Sequence, residues 1–174
     1  VVTANSTASA DIAVRQLTGV LGALDKIYDG NMLASVIGEN SLNVVAGDSL
    51  IFTGSFNDKN VANGKAVAYV MGGADAGNYA LGNGVFKGTA NITPKIITGA
   101  ITAAGKVYDG SLAANTNGGL SGAVLGDAVA LSTTGAFADK NVGNGKTVNV
   151  GGSLFGADAG NYTLVTNTTT LANI

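Results

Sequence analysis

The 174-residue chain has no cysteine, histidine or tryptophan, a single proline, and only 11% charged residues. Without cysteine there is neither a disulfide nor a thiolate zinc site, and without histidine the commonest metal ligand and general base is missing. Most hydrolase and transferase constellations are thereby excluded, and the chain is not expected to be an enzyme. The nine Lys and Arg are scattered singly, so no basic patch is available to neutralise phosphates or anionic lipid, and nucleic-acid binding and a polybasic membrane anchor are not expected. No apolar run approaches the ~20 residues that cross a bilayer, so no membrane insertion is expected. The net charge of −2 and positive mean hydropathy separate the chain from disordered sequences. The chain starts at Val1 with no charged-then-apolar leader, and it is expected to be an excerpt of a longer protein whose export signal lies elsewhere.

Glycine is abundant, with 27 residues, and so is repetition. "DKIYDG" at Asp25–Gly30 answers to "GKVYDG" at Gly105–Gly110, and "VVAGDSL" to "AVLGDAV". "FNDKNVANGK" answers to "FADKNVGNGK", and "GADAGNYAL" at Gly73–Leu81 to "GADAGNYTL" at Gly156–Leu164. The paired motifs are 79 to 83 residues apart, a period that marks an array of modules. Two copies follow, at 13–92 and 93–174, and 1–12 with its "TASADI" is expected to be the last strand of a preceding copy. Pro94 falls at the junction "NITPKI", where its fixed φ suits a strand start or a short linker. So short a junction predicts stiff modules arranged end to end.

Apolar residues alternate at Val67 and Tyr69, Val148 and Val150, Leu50 and Phe52, Val129 and Leu131, Tyr79 and Leu81, and Tyr162 and Leu164. This is the period-two signature of half-buried strands. "ITPKIITGAI" predicts an opening strand and "GTANI" a closing one, and no glycine-free window carries a helical stripe. Asn63-Gly64 and Asn144-Gly145 are the strongest hairpin signals. About seven short strands in eighty residues predict an all-β fold: tandem immunoglobulin-like β-sandwich repeats.

In such sandwiches an Asp-x-Gly-x-Tyr-x-apolar phrase forms a tyrosine corner, whose hydroxyl reaches back to an upstream backbone group. Asp75, Gly77 and Tyr79, with Asp158, Gly160 and Tyr162, are assigned to that corner, and Leu81 and Leu164 supply the apolar partner. Tyr28-Asp29 and Tyr108-Asp109 have two readings. One is a strand-end tyrosine followed by an Asp-Gly turn; the other is an exposed aromatic and carboxylate that contact a ligand such as a sugar. Eight of the ten aspartates pair between the copies, all beside turn residues, and are expected to act as turn and cap acceptors. No cofactor is expected. Calcium stays as an alternative because it binds through oxygens, although no Asp-x-Asp-x-Asp run exists. A lysine-to-asparagine crosslink has Lys26 with Asn91 and Lys106 with Asn173 as candidates; Lys95 has Arg15 as its counterpart, which cannot form that amide.

Together, "KIYDG/KVYDG", "GD", "FNDKNV/FADKNV" and "GADAGNY(A/T)L" closely resemble the YDG and MBG-type tandem repeat modules of large bacterial surface adhesins, filamentous-haemagglutinin-like proteins among them. The resemblance covers about Ala13 to Ile174, plus the tail fragment at 1–12. It implies an extracellular location, at a bacterial cell surface or in a secreted biofilm matrix, and a structural stalk or spacer that extends a distal binding domain. It carries over no enzymatic residue. The expected partners are neighbouring repeats of the same chain. The alternatives are a glycan- or matrix-binding module and a fibre subunit that self-associates through edge strands with few charged gatekeepers.

Overall fold

The computed structural model describes residues 8–82 and 88–174. Strands take up 49% of it, and no α-helix occurs among the described residues, so the fold is all-β. The strands of the first repeat are β1 (Arg15–Leu17), β2 (Gly22–Ala23), β3 (Lys26–Ile27), β4 (Leu33–Ala34), β5 (Val36–Ile37), β6 (Ile51–Phe56), β7 (Ala62–Gly72), β8 (Tyr79–Leu81) and β9 (Thr89–Thr93). Those of the second are β10 (Lys95–Ala103), β11 (Thr116–Ser121), β12 (Ala130–Phe137), β13 (Lys146–Phe155), β14 (Tyr162–Thr166) and β15 (Thr169–Ala172). Of the strand expected over 1–12, residues 1–7 lie outside the described residues, and 8–12 form no strand.

The chain divides into two compact units. The first is built from the described parts of Val1–Leu24, Leu33–Asn57 and Ala66–Ala90; the second from Asp25–Met32, Asp58–Lys65 and Asn91–Ile174. The two units do not follow the repeat boundary. The YDG loop and the Asp-Lys-Asn loop of the first repeat fold with the second repeat, because their side chains find their partners there.

In the second unit β10 lies between β11, antiparallel, and β14, parallel. A second sheet runs β12-β13-β15, antiparallel throughout. Burial along β10 alternates through Ile97, Gly99 and Ile101, as expected of a strand with one face inward. Ile101 meets Phe137, Val148, Val150 and Ala172 of the other sheet in one apolar cluster, so the two sheets share a core in the manner of a β-sandwich. The second repeat itself supplies six strands, β10 to β15, where about seven were expected, because Lys106–Asn115 is irregular apart from one bridge at Ala113.

The first unit repeats the scheme in shorter pieces. β1 runs parallel to β8 with Arg15 opposite Tyr79, as Lys95 is opposite Tyr162 in the second. β6 pairs antiparallel with both β4 and β7. Leu17, Leu21, Leu42, Phe52 and Tyr79 form its core, with Leu81 packed against them.

Asn63-Gly64 and Asn144-Gly145 are not two-residue hairpin turns. Both glycines have positive φ, but the loops that join β6 to β7 and β12 to β13 are longer and are built around an aspartate. Gly64 N–H, at the start of β7, donates to Asn91 Oδ1 of β9, and Gly145 N–H donates to Asn173 Oδ1 just past β15, so each Asn-Gly step is tied to the last segment of its repeat.

Candidate functional site

The tyrosine of the repeated phrase is built alike in both copies. Tyr79 is 5% exposed and Tyr162 is 7% exposed, yet both hydroxyls are bonded twice. Tyr79 Oη accepts the Val45 N–H at 3.0 Å and donates to Asp48 Oδ2 at 2.5 Å. Tyr162 Oη accepts the Val124 N–H at 2.9 Å and donates to Asp127 Oδ2 at 2.5 Å. Each hydroxyl thus takes a backbone N–H more than thirty residues upstream, whereas the hydroxyl of an immunoglobulin tyrosine corner reaches only a few residues back. Asp75 and Asp158 bond not to the tyrosine but to the backbone N–H groups of Ser49 and Ala128, both at 2.8 Å. Gly77 and Gly160 lie in the single 3-10 turn that delivers the tyrosine into its strand. The glycine that opens each phrase is indispensable: Gly73 and Gly156 have φ of 108° and 114°, and a Cβ there would lie 2.4 and 2.3 Å from a carbonyl oxygen of the facing loop.

Two further loops are built alike in both copies. In the YDG loop Asp29 Oδ1 accepts the Asn31 N–H and pairs with Lys26, as Asp109 Oδ1 accepts the Ser111 N–H and pairs with Lys106. In the Asp-Lys-Asn loop Asp58 Oδ1 accepts the Asn60 N–H and pairs with Lys65, and Asp139 does the same with Asn141 and Lys146. The first aspartate of each loop is therefore a turn former, held in its charged form. The Lys106 ammonium, helped by two bonds from Ser111, lowers the Asp109 pKa to about 2. What these two loops project is the residue beside the aspartate: Tyr28 and Lys59 in the first copy, Tyr108 and Lys140 in the second.

In the second unit Tyr28 and Lys59 are docked. Tyr28 is 1% exposed; its hydroxyl donates to Asp127 Oδ2 at 2.7 Å, and its ring meets Tyr162 edge-on with centroids 5.4 Å apart. Lys59 Nζ reaches Asp127 Oδ1 at 2.7 Å and Asp158 Oδ1 at 2.9 Å, and lies 5.8 Å from the centre of the Tyr28 ring. Asn161, 4% exposed, accepts the Val61 N–H at 2.9 Å. Tyr28 N–H donates to the Thr93 carbonyl at 2.8 Å, and Gly30 presses on Val124 so closely that a Cβ would lie 2.7 Å from Val124 Cγ1.

Asp127 is the centre of this socket, with a side chain only 4% exposed. Burial pushes its pKa up, but bonds from Lys59, Tyr162 and Tyr28 outweigh burial and hold it below the usual value. Lys59 is raised by Asp127, Asp158 and Tyr28. Tyr162 is pushed up to about 12 by burial and by the Asp127 carboxylate. A buried carboxylate that accepts two hydroxyls and an ammonium is fully satisfied, which is the condition for such a group to hold a fold rather than weaken it.

Tyr28 and Asp29 are therefore not a free ligand platform. Tyr28 is covered by Asp127 and Tyr162, and Asp29 is turned to its own loop. Tyr108, at 52% exposure, does stand free beside Asp109. The crosslink candidates are bonded elsewhere: Lys106 to Asp109 and Ser111, Lys26 to Asp29 and Asn31, and Asn91 to Asp25. Among the described residues no group of three or more acidic side chains is placed to hold a metal ion. Lys59, Asn161 and the central role of Asp127 were not among the expected site residues. Their signal was present in the identity of "DKNV", "GD" and "AGNY" between the copies, which turn chemistry alone does not require.

The YDG domain family matches the chain twice, over residues 13–86 and 93–170. No curated protein and no solved structure gives a significant match.

Proposed function

Because the chain belongs to the YDG domain family, as two such domains in tandem, we propose that it is a structural spacer: repeat modules of an extracellular bacterial adhesin or biofilm matrix protein that carry a distal binding domain away from the cell. The observation that carries this reading is the socket. Tyr28 and Lys59 of one repeat are bonded to Asp127, Asp158, Asn161 and Tyr162 of the next. A spacer has to resist bending where modules meet, and a buried, fully bonded contact at that point supplies resistance that a short linker alone does not. In arrays of this kind stability is a sum of the repeats and their nearest-neighbour contacts, so the socket serves the array as well as the module.

Small-angle scattering of the chain in solution tests the reading. The expected result is an elongated particle with one well-defined conformation, which becomes a broader distribution in a Tyr28→Ala, Lys59→Ala variant. A compact side-by-side particle, or a profile that the variant leaves unchanged, overturns it.

A further inference from the structure

The first unit carries the same socket, and no residue among those described fills it. Val45, Asp48, Asp75, Asn78 and Tyr79 are the counterparts of Val124, Asp127, Asp158, Asn161 and Tyr162, and they make the same internal bonds. Beside them lies an open cavity of about 450 Å³ whose walls include Ala13, Val45, Asp48, Gly77, Asn78 and Tyr79. Asn78 is exposed where Asn161 is buried, and Val45 is 45% exposed where Val124 is half-buried. Ala13 stands at the position of Thr93, whose carbonyl takes the Tyr28 N–H in the second unit.

The matching plug is present at the other side of the same sequence pattern. Tyr108 and Lys140 occupy the positions of Tyr28 and Lys59, on loops already shaped by the same aspartate bonds. Lys140 is exposed and is in no salt bridge among the described residues, and Val107 and Val142 beside the two are 88% and 73% exposed. Gly110 keeps the positive φ of Gly30, but nothing lies within 4 Å of the Cβ it lacks.

We propose that the Asp48–Tyr79 cavity is a docking site for another YDG-type repeat, and that a second copy of this chain fills it with Tyr108 and Lys140. The Tyr108 hydroxyl donates to Asp48, Lys140 pairs with Asp48 and Asp75, and the Val142 N–H donates to Asn78. The inference rests on the spacer reading, for which it names a repeat-to-repeat contact made between molecules. Because plug and socket are different surfaces, the contact is heterologous and propagates head to tail. Between separate molecules it lacks the effective concentration that a short linker provides, which is in the millimolar range, so association is expected to become visible only toward ~1 mM.

Sedimentation of the chain over a concentration series tests the proposal, using a plug variant (Tyr108→Ala, Lys140→Ala) and two socket variants (Asp48→Asn and, at an exposed position, Asn78→Arg). The wild-type chain is expected to form concentration-dependent oligomers. Each variant alone is expected to associate about thirtyfold more weakly or worse, as when one side of a desolvated charge pair is removed. An equimolar mixture of plug variant and socket variant is expected to restore one contact and stop at a heterodimer. Circular dichroism checks that each variant folds, and Asn78→Arg carries the test if Asp48→Asn does not. A wild-type chain that stays monomeric at ~1 mM, or oligomers that survive both kinds of variant, overturns the proposal. An elongated, Tyr28-dependent particle that stays monomeric would sink this docking site and leave the spacer reading standing. A compact particle that still associates through plug and socket would do the reverse.

Discussion

Tyr28 and Tyr108 hold the same place in the same phrase, yet one is 1% and the other 52% exposed. The difference lies in what each loop meets, so paired substitutions separate the cost of the loop from the cost of the contact. Tyr28→Ala removes a buried ring and strands Asp127 short of a donor, with an expected loss of about 3–5 kcal/mol. Tyr108→Ala is expected to stay within about 0.5 kcal/mol, as for surface positions generally. The glycines give a second pair. Gly30 and Gly110 both have positive φ, so alanine at either costs about 1–2 kcal/mol of backbone strain. Only Gly30 presses on Val124, which adds about 1–3 kcal/mol of overpacking. Chemical denaturation of the four single variants checks both pairs; equal losses at 30 and 110 would place the whole effect in the loop.

The elements show which features local sequence encodes. The opening strand written in "ITPKIITGAI" is local and was legible; the repeated Asp-Ala-Gly-Asn-Tyr phrase is local too, but it did not name the bonding partners of Tyr79 and Tyr162, which lie more than thirty residues upstream. The docking of Tyr28 was not legible, because its partner Asp127 lies 99 residues away and belongs to the other copy. Nothing in a turn-forming Tyr-Asp-Gly distinguishes a tyrosine that faces solvent from one that enters the next module. The Asn-Gly steps misled for a related reason. Their positive φ was readable, but the loop geometry is set by Asp58 and Asp139, which bind a backbone N–H and a lysine at once. Asp58→Ala removes both the Asn60 cap and the Lys65 pairing, and Lys65 is itself 8% exposed. This change is expected to free the loop that presents Lys59. Amide exchange is the measurement: Asn60 and Val61 should lose protection together, including the Val61 bond to Asn161, while β12 and β13 keep theirs.

At the scale of the whole molecule, the missing histidine and the bonded aspartates set one pH profile. Asp25, Asp29, Asp58, Asp109, Asp127, Asp139 and Asp158 all lie below the ordinary value of 3.8. Their folded values are depressed, so the unfolded chain binds more protons as the pH falls. The stability they contribute is whole above pH 3.8 and drains as pH drops through the folded values, about 2 for Asp109. At the alkaline side Tyr28, Tyr79 and Tyr162 are raised above 10.0. Their contribution is whole below pH 10.0 and is lost as pH rises through the folded values, about 12 for Tyr162. No histidine titrates in the interval between. The melting temperature is therefore expected to be nearly flat from about pH 5 to 9, to fall steeply below 4, and to fall again above 10. Asp127→Asn lowers the plateau and shallows the acid limb, because one of the depressed carboxylates is gone while its three donors stay buried. A melting temperature that already declines between pH 7 and 5, or an acid limb unchanged by Asp127→Asn, would mean that the socket carboxylate does not hold the modules together.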